Sequence, residues 1–244
     1  MKNPPKAYEN IPFLCSEYCR PVRLQLEYLH PEVMMQKEKI NSTIVLFDSA
    51  RIPAPENAGV CKNRKLVELT PFYEEARKLA RMVSTTCQTS HECEYVIITG
   101  GGGSVMEAGN RGAHDVGCKS IALNVTLPHE QEPNPYVTED LCFQFHYFSM
   151  RKMHFMLRAK AVCIFPGGFG TFDELFEALT LIQTGKVEPM PVVLVGSEYW
   201  KRVVDWDYMA ECGLIGPNDL NLITFCDTAE EAWEAINSFY ASAG

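Results

Sequence analysis

The chain has 244 residues, 46% hydrophobic and 22% charged, with 16 Gly and 15 Pro. These are globular values and exclude collagen-like, coiled-coil and disordered readings. Lys and Arg number 22 against 31 Asp and Glu, a net charge of -9, so the surface repels a phosphate polymer and a nucleic acid strand is not expected as a partner. One mononucleotide stays open, because a few placed cations and backbone amides suffice for one phosphate.

No apolar run approaches the ~20 residues of a membrane helix, and Met1 to Asn10 lack the apolar core of a signal peptide. A cytoplasmic protein with no membrane partner is expected. The 10 cysteines stand singly, without a C-x-x-C, and read as buried free thiols. Cys87, His91 and Cys93 cluster, but in no zinc spacing, so no metal site is expected. No linker divides the chain, which is long enough for one sizeable core. The expected organisation is an N-terminal extension over 1–40 and one nucleotide-binding domain over 41–244.

In chain order, Pro31 opens a short helix that runs to Lys39. Strands are then expected at 43–47, 95–99, 120–123, 161–165, 192–195 and 222–225. They are nearly continuous β-branched and apolar runs, as parallel strands covered on both faces require. Helices are expected between and after them, at 72–86, 105–116, 147–158, 172–184, 199–211 and 229–240. This alternation predicts an α/β fold, a Rossmann-like doubly wound parallel sheet. Ligands of such sheets bind beyond the carboxyl ends of the strands, where strand order reverses. The loops that follow strands therefore carry the interest.

Two of those loops are glycine-rich. Thr99-Gly100-Gly101-Gly102-Gly103-Ser104 leads into a helix, and such a loop brings amides and a positive helix end to an anion. It lacks the Lys-Ser/Thr of a triphosphate loop, and a plain tight turn is the competing reading. Pro166-Gly167-Gly168-Phe169-Gly170-Thr171-Phe172-Asp173-Glu174 also follows a strand and opens a helix. Thr171 and Glu174 have the spacing of a capping box, which would tie Glu174 to the helix start. Asp173 and Glu174 put two carboxylates beside a would-be anion site, so if the loop binds an anion, one acid must be directed at something cationic or electron-poor nearby. Arg151 and Lys152 lie upstream, either as a solvated pair or as anion clamps. Ser49 and Asn124 end strands and are ligand candidates. Glu107 is either a site acid or a first-turn acid favoured by the helix dipole. His129, His146 and His154 read as structural, and Phe148, Phe155 and Phe169 as core or interface. The apolar stretch from Phe143 to Met156 suits either burial or contact with another copy.

These motifs resemble the LOG family, the cytokinin riboside 5'-monophosphate phosphoribohydrolases, once misnamed lysine decarboxylases. Its P-G-G-x-G-T-x-x-E signature is matched by Pro166 to Glu174, its Arg-Lys pair by Arg151-Lys152, and its G-G-G…M-E-A…N-R-G-A loop by Gly100 to Ala113. Phe47 to Arg51, Leu123 to Gln131 and Leu179 to Lys186 extend the similarity. Gly103-Ser104 departs from it, standing where relatives usually carry Pro-Gly. The resemblance implies hydrolysis of the N-glycosidic bond of AMP or an N6-substituted AMP, without cofactor or metal, by a homodimer or larger homo-oligomer. It implies Arg151 and Glu174 as the catalytic pair. Lys152, Gly167, Gly168, Gly170, Thr171, Asp173 and Thr180 are implied at the substrate, with Gly101, Gly102 and Gly103 as a second cradle. The chemistry suits such residues: breaking a C1'–N9 bond builds positive charge on ribose, which a fixed carboxylate stabilises. A nucleotide-binding sensor with little turnover is the alternative, motivated by Gly103-Ser104. A decarboxylase needing a Schiff-base lysine, with only Lys152 and Lys186 near the motifs, is a weaker third.

Overall fold

A computed structural model describes residues 3–88, 93–126 and 132–242. His91, His129 and the motif residues 127–131 lie outside the described residues. Seven strands form one parallel sheet: β1 (Thr43–Phe47), β2 (Val96–Thr99), β3 (Ser120–Val125), β4 (Cys142–Phe145), β5 (Ala159–Ile164), β6 (Val192–Val195) and β7 (Ile223–Cys226). Their order is β4-β3-β2-β1-β5-β6-β7, so the winding reverses between β1 and β5. The fold is the expected Rossmann-like α/β arrangement.

The helices are α1 (Ile11–Leu14), α2 (Arg20–Lys37), α3 (Arg64–Glu68), α4 (Pro71–Cys87), α5 (Val105–His114), α6 (Phe148–Leu157), α7 (Phe169–Gln183), α8 (Ser197–Val203), α9 (Trp206–Glu211) and α10 (Ala229–Ser242). Alternate strand residues feed two cores. Val45, Ile98, Leu123, Val162 and Leu194 face Phe155, Leu175, Ala178 and Trp200 on one side. Ile44, Leu46, Ile97, Cys163 and Val193 face Tyr73, Leu79, Val105, Ala108 and Ile236 on the other. Every β1 residue is buried, which is why these strands read as unbroken apolar runs. Among the described residues, no helix is long and apolar enough to cross a membrane.

Three sequence expectations change. The N-terminal helix starts at Arg20, with Pro21 in its first turn, and Pro31 lies inside it. A proline has no N–H to give the carbonyl four residues back, and that carbonyl, Glu27 O, instead accepts His154 Nε2–H at 3.1 Å. The helix expected over 199–211 is two, because the Asp205 carboxylate accepts the Tyr208 N–H at 3.0 Å and starts α9 afresh. The edge strand β4 was not expected. Its Phe143 and Phe145 are buried and Gln144 is exposed, an alternation of only four residues inside a longer apolar stretch.

Candidate active site

The loops after β1, β2 and β5 meet at the reversal point, with the end of β3 and helix α6 beside them. Helix α6 supplies Arg151, whose Nε–H donates to Leu123 O at the end of β3, 2.7 Å away. Its guanidinium lies over the Phe155 ring, 5.1 Å from the centroid. A side chain at Gly100 would meet Arg151 Nη2, since a Cβ there falls 2.7 Å from it. The guanidinium thus has one anchored donor, Nε, while Nη2 lies against Gly100 and Nη1 lies toward Glu174.

Glu174 projects from the second turn of α7 and lies 3.7 Å from Arg151 Nη1. That is an ion-pair distance, too long for a hydrogen bond. Both side chains are nearly covered, at 14% and 11% exposure. Burial pushes the Glu174 carboxyl up to about 7; Arg151 and Lys152 pull it down, while Glu177 and Asp173 add to the rise. Burial also lowers the Arg151 pKa, with Glu174 opposing. The site therefore holds a carboxyl group poised near neutrality against a cation that does not fully neutralise it.

The capping box is not formed. Helix α7 begins at Phe169 with Gly168 as its cap, and no side chain caps it. Thr171 is inside the helix, and its hydroxyl donates to Asp48 O at 2.8 Å. Glu174 is held by burial and by Arg151, not by its own helix start. The first backbone bond of α7 runs from Phe172 N to Gly168 O at 3.0 Å, so the amides of Phe169, Gly170 and Thr171 precede the helical ladder and point outward. Gly167 has no alternative here: a Cβ on it would lie 2.0 Å from Thr171 Oγ1. The Tyr199 hydroxyl, donating to Gly167 O, holds the loop from α8.

The first glycine loop is organised differently. Gly101 has φ +77°, and a Cβ there would fall 2.5 Å from Asn124 Oδ1. Its N–H donates to Thr99 Oγ1 at 3.0 Å, and the Asn134 side chain donates to Gly102 O at 3.1 Å. The positive end of α5 is already occupied, because Asp48 Oδ2 accepts the Val105 N–H at 3.0 Å. Burial raises Asp48 to about 7, against the lowering effect of hydrogen bonds from backbone amides, that of Val105 first. The helix-end anion expected at the loop containing Gly101, Gly102 and Gly103 is thus the protein's own carboxylate. Ser104 adopts φ +65° and its buried Oγ completes no hydrogen bond among the described residues. Glycine would adopt this conformation without strain.

The other named residues divide. Lys152 bridges Asp173 at 2.7 Å and Glu177 at 3.2 Å, so Asp173 has the cation its position demanded. Burial tends to lower the Lys152 pKa, but these bonds outweigh it and hold the ammonium above its ordinary value. Lys152, Asp173 and Thr180 line a groove of about 570 Å³ with Phe169, Phe172 and Phe176, beside the Arg151–Glu174 pair. The Thr180 hydroxyl donates to Phe176 O at 2.6 Å. Asn124 is buried under Gly101, and its Nδ2 reaches Phe143 O at 3.4 Å. Ser49 Oγ accepts the Arg51 N–H at 3.2 Å. Glu107 points toward α4, accepting the Tyr73 hydroxyl at 2.7 Å, and takes no part in the crevice. Asp48, Asn134 and Tyr199 were missed. Only Asp48 left a signal, as an acid directly after a strand. Among the described residues no group of three or more His, Cys, Asp or Glu is placed to hold a metal ion.

Comparison with known proteins bears on the family and the fold. The family model described as "Possible lysine decarboxylase" matches residues 106–236, more than half of the chain. A probable cytokinin riboside 5'-monophosphate phosphoribohydrolase of Oryza sativa subsp. japonica is 30% identical over 91 residues, 36% of this chain and 43% of the relative. A cytokinin riboside 5'-monophosphate phosphoribohydrolase of Arabidopsis thaliana is 27% identical over 145 residues, 57% of this chain and 66% of the relative. The chain thus spans under half of the first relative's length and just under two thirds of the second's. Among solved structures, the molybdenum cofactor binding protein of Rippkaea orientalis superposes with TM-score 0.52 at 17% identity, over 82% of this chain and 98% of its own. The Moco carrier protein of Chlamydomonas reinhardtii gives TM-score 0.53 at 20% identity, over 83% and 99%. At such identities these structures share the fold. The matched family model, together with the motifs it spans, places the chain in the LOG family, the possible lysine decarboxylases of the older description.

Proposed function

We propose that this protein is a nucleoside 5'-monophosphate phosphoribohydrolase, splitting AMP or an N6-substituted AMP into free base and ribose 5-phosphate. The observation that carries the reading is the buried Arg151–Glu174 pair beside the uncapped start of α7. The 5'-phosphate binds the outward amides of Phe169, Gly170 and Thr171, where the helix dipole favours an anion. Lys152 adds positive charge from the adjacent groove. The ribose then lies toward Glu174, one turn along α7.

As the C1'–N9 bond breaks, positive charge develops on the sugar, and the Glu174 carboxylate stabilises it. Water adds to C1', its proton passing to the Glu174 carboxylate and on to solvent, while the C1'–N9 bonding pair leaves with the base, whose nitrogen takes up a proton from solvent. A group poised near 7 is suited to both duties. Arg151 holds substrate oxygens through the N–H groups that Leu123 does not use. The reaction as written uses only these side chains and water. The exposed apolar groups Phe148, Met153, Leu157 and Phe169 fit a homo-oligomer contact beside the groove.

Chromatography of a reaction with a panel of nucleoside monophosphates tests the proposal. Free adenine should appear from AMP, and Glu174→Gln or Arg151→Ala should slow its release by about 10²–10⁴-fold. Variants as active as the parent would refute the roles. A second reading, nucleotide binding without turnover, rests on the strained Ser104 and the filled end of α5; saturable AMP binding with no base released would favour it. The decarboxylase reading needs a lysine that loses its proton easily, and Lys152, held above its ordinary value by Asp173 and Glu177, is the opposite.

A further inference from the structure

Helix α6 carries the working cation of this site, yet it does not cap its own start. Tyr147 precedes it, with no capping side chain of its own. The cap comes from α2, far away in sequence: the two Glu27 carboxylate oxygens accept the His146 N–H at 2.8 Å and the Tyr147 N–H at 3.1 Å. Arg23 Nη2 donates to the Tyr147 hydroxyl at 3.1 Å. One turn on, Arg151 N–H donates to Tyr147 O at 3.2 Å, so the residue that Glu27 grips is the one on which Arg151's backbone hangs. Farther along, His154 donates through Nε2 to Glu27 O, the carbonyl that Pro31 leaves free. At the far end Arg158 grips Glu32 through both guanidinium nitrogens, one bond being 2.9 Å. The residues just before α6, His154 within it and Arg158 just after it are thus fastened to α2.

We infer that Glu27 is a positioning residue for the active site: by capping α6 from α2, it fixes where Arg151 stands relative to Glu174. A carboxylate at a helix start meets both the unpaired amides and the dipole. Arg151 and Glu174 are separated by 3.7 Å and lie on different helices, so a small slide of α6 changes their coupling directly. Helix α2, which precedes β1, then belongs to the site's architecture. The inference rests on Arg151 and Glu174 being the working pair, as proposed above, and is tested without requiring turnover.

The test is a carbon-13 NMR titration of the Glu174 carboxyl in the full chain, assigned with Glu174→Gln. Groups from α6 and α7 face that carboxyl: Arg151 and Lys152 lower its pKa, and Glu177 and Asp173 raise it. Glu27→Gln removes one of two acceptors and Glu27→Ala removes both. As Arg151 retreats, the midpoint should rise above its starting value of about 7, by about half a unit or more, and further in the Ala variant than in the Gln variant. Glu32→Gln, which loosens the other end of α6, should move it the same way by less, and serves if Glu27→Ala does not fold. A midpoint unchanged or lowered in folded Glu27→Gln and Glu32→Gln would overturn the inference. With AMP, kcat should fall about tenfold while KM changes less than threefold, because the phosphate site is on α7. Absence of turnover in the parent chain would count against the hydrolase reading and leave the titration result standing.

Discussion

Helices α5 and α7 both follow a buried strand and a glycine-rich loop, and both open onto the same crevice. Their N-termini are nevertheless in opposite states. Asp48 fills the end of α5, while among the described residues no side chain caps the end of α7. The α7 loop is fixed by contacts that leave its amides free: Thr171 to Asp48 O and Tyr199 to Gly167 O. A glycine-rich turn is therefore not in itself an anion site. What decides is whether the protein has already supplied the anion.

That contrast can be broken at either loop. Gly167→Ala should have the largest effect, since its Cβ would fall 2.0 Å from Thr171 Oγ1 and the loop must move. A loss of about 3 kcal/mol in urea unfolding is expected, with nucleotide affinity down at least tenfold. Full retention of both would show that the α7 loop is not the binding element.

Next comes the cost of the buried acid. Folded Glu174 keeps its proton up to about 7, whereas an unfolded glutamate releases it near 4.3. Between those values the folded state binds more protons, so stability falls as pH rises. Glu174→Gln removes that slope, and at pH 8 the variant should be more stable than the parent by on the order of 2–3 kcal/mol, with the difference vanishing near pH 4. Parallel stability curves would mean that the carboxyl is not strained.

Asp48→Ala should cost about 1–2 kcal/mol as the α5 cap is lost. It also sharpens the comparison, because inorganic phosphate should then perturb the Val105 and Met106 amides in NMR spectra, which it leaves untouched in the parent. Smallest of all, Ser104→Gly should relieve a φ of +65° and remove a buried, unpartnered hydroxyl. A gain of about 1 kcal/mol is expected, or a Tm higher by ~2–4 °C.

Much of the fold was legible because buried parallel strands leave a simple trace. Ile44 to Phe47 and Val192 to Val195 are apolar throughout, and the structure buries both on two faces. What escaped were features set by distant partners. Four residues of β4 have no pattern of their own until they pair with β3. The long α2 hides behind Pro31, whose missing bond is made good by His154. At the site, Arg151 and Glu174 were singled out through linked motifs, and Asp173 through the demand that neighbouring acids find cations. The capping box was misread for a local reason. Thr171 has the right spacing, but Asp48 O lies within reach of its hydroxyl and the helix starts three residues earlier than expected. Asn134 and Tyr199 act on carbonyls far from them in sequence, a role that local spacing does not encode.

The most direct test is a crystal structure of Glu174→Gln with AMP bound. The phosphate should lie within hydrogen-bonding distance of the Phe169, Gly170 and Thr171 amides, with C1' of the ribose facing residue 174 and Arg151 on a substrate oxygen. A phosphate seated at Ser104 and Val105 instead, or a ribose turned away from residue 174, would contradict the account.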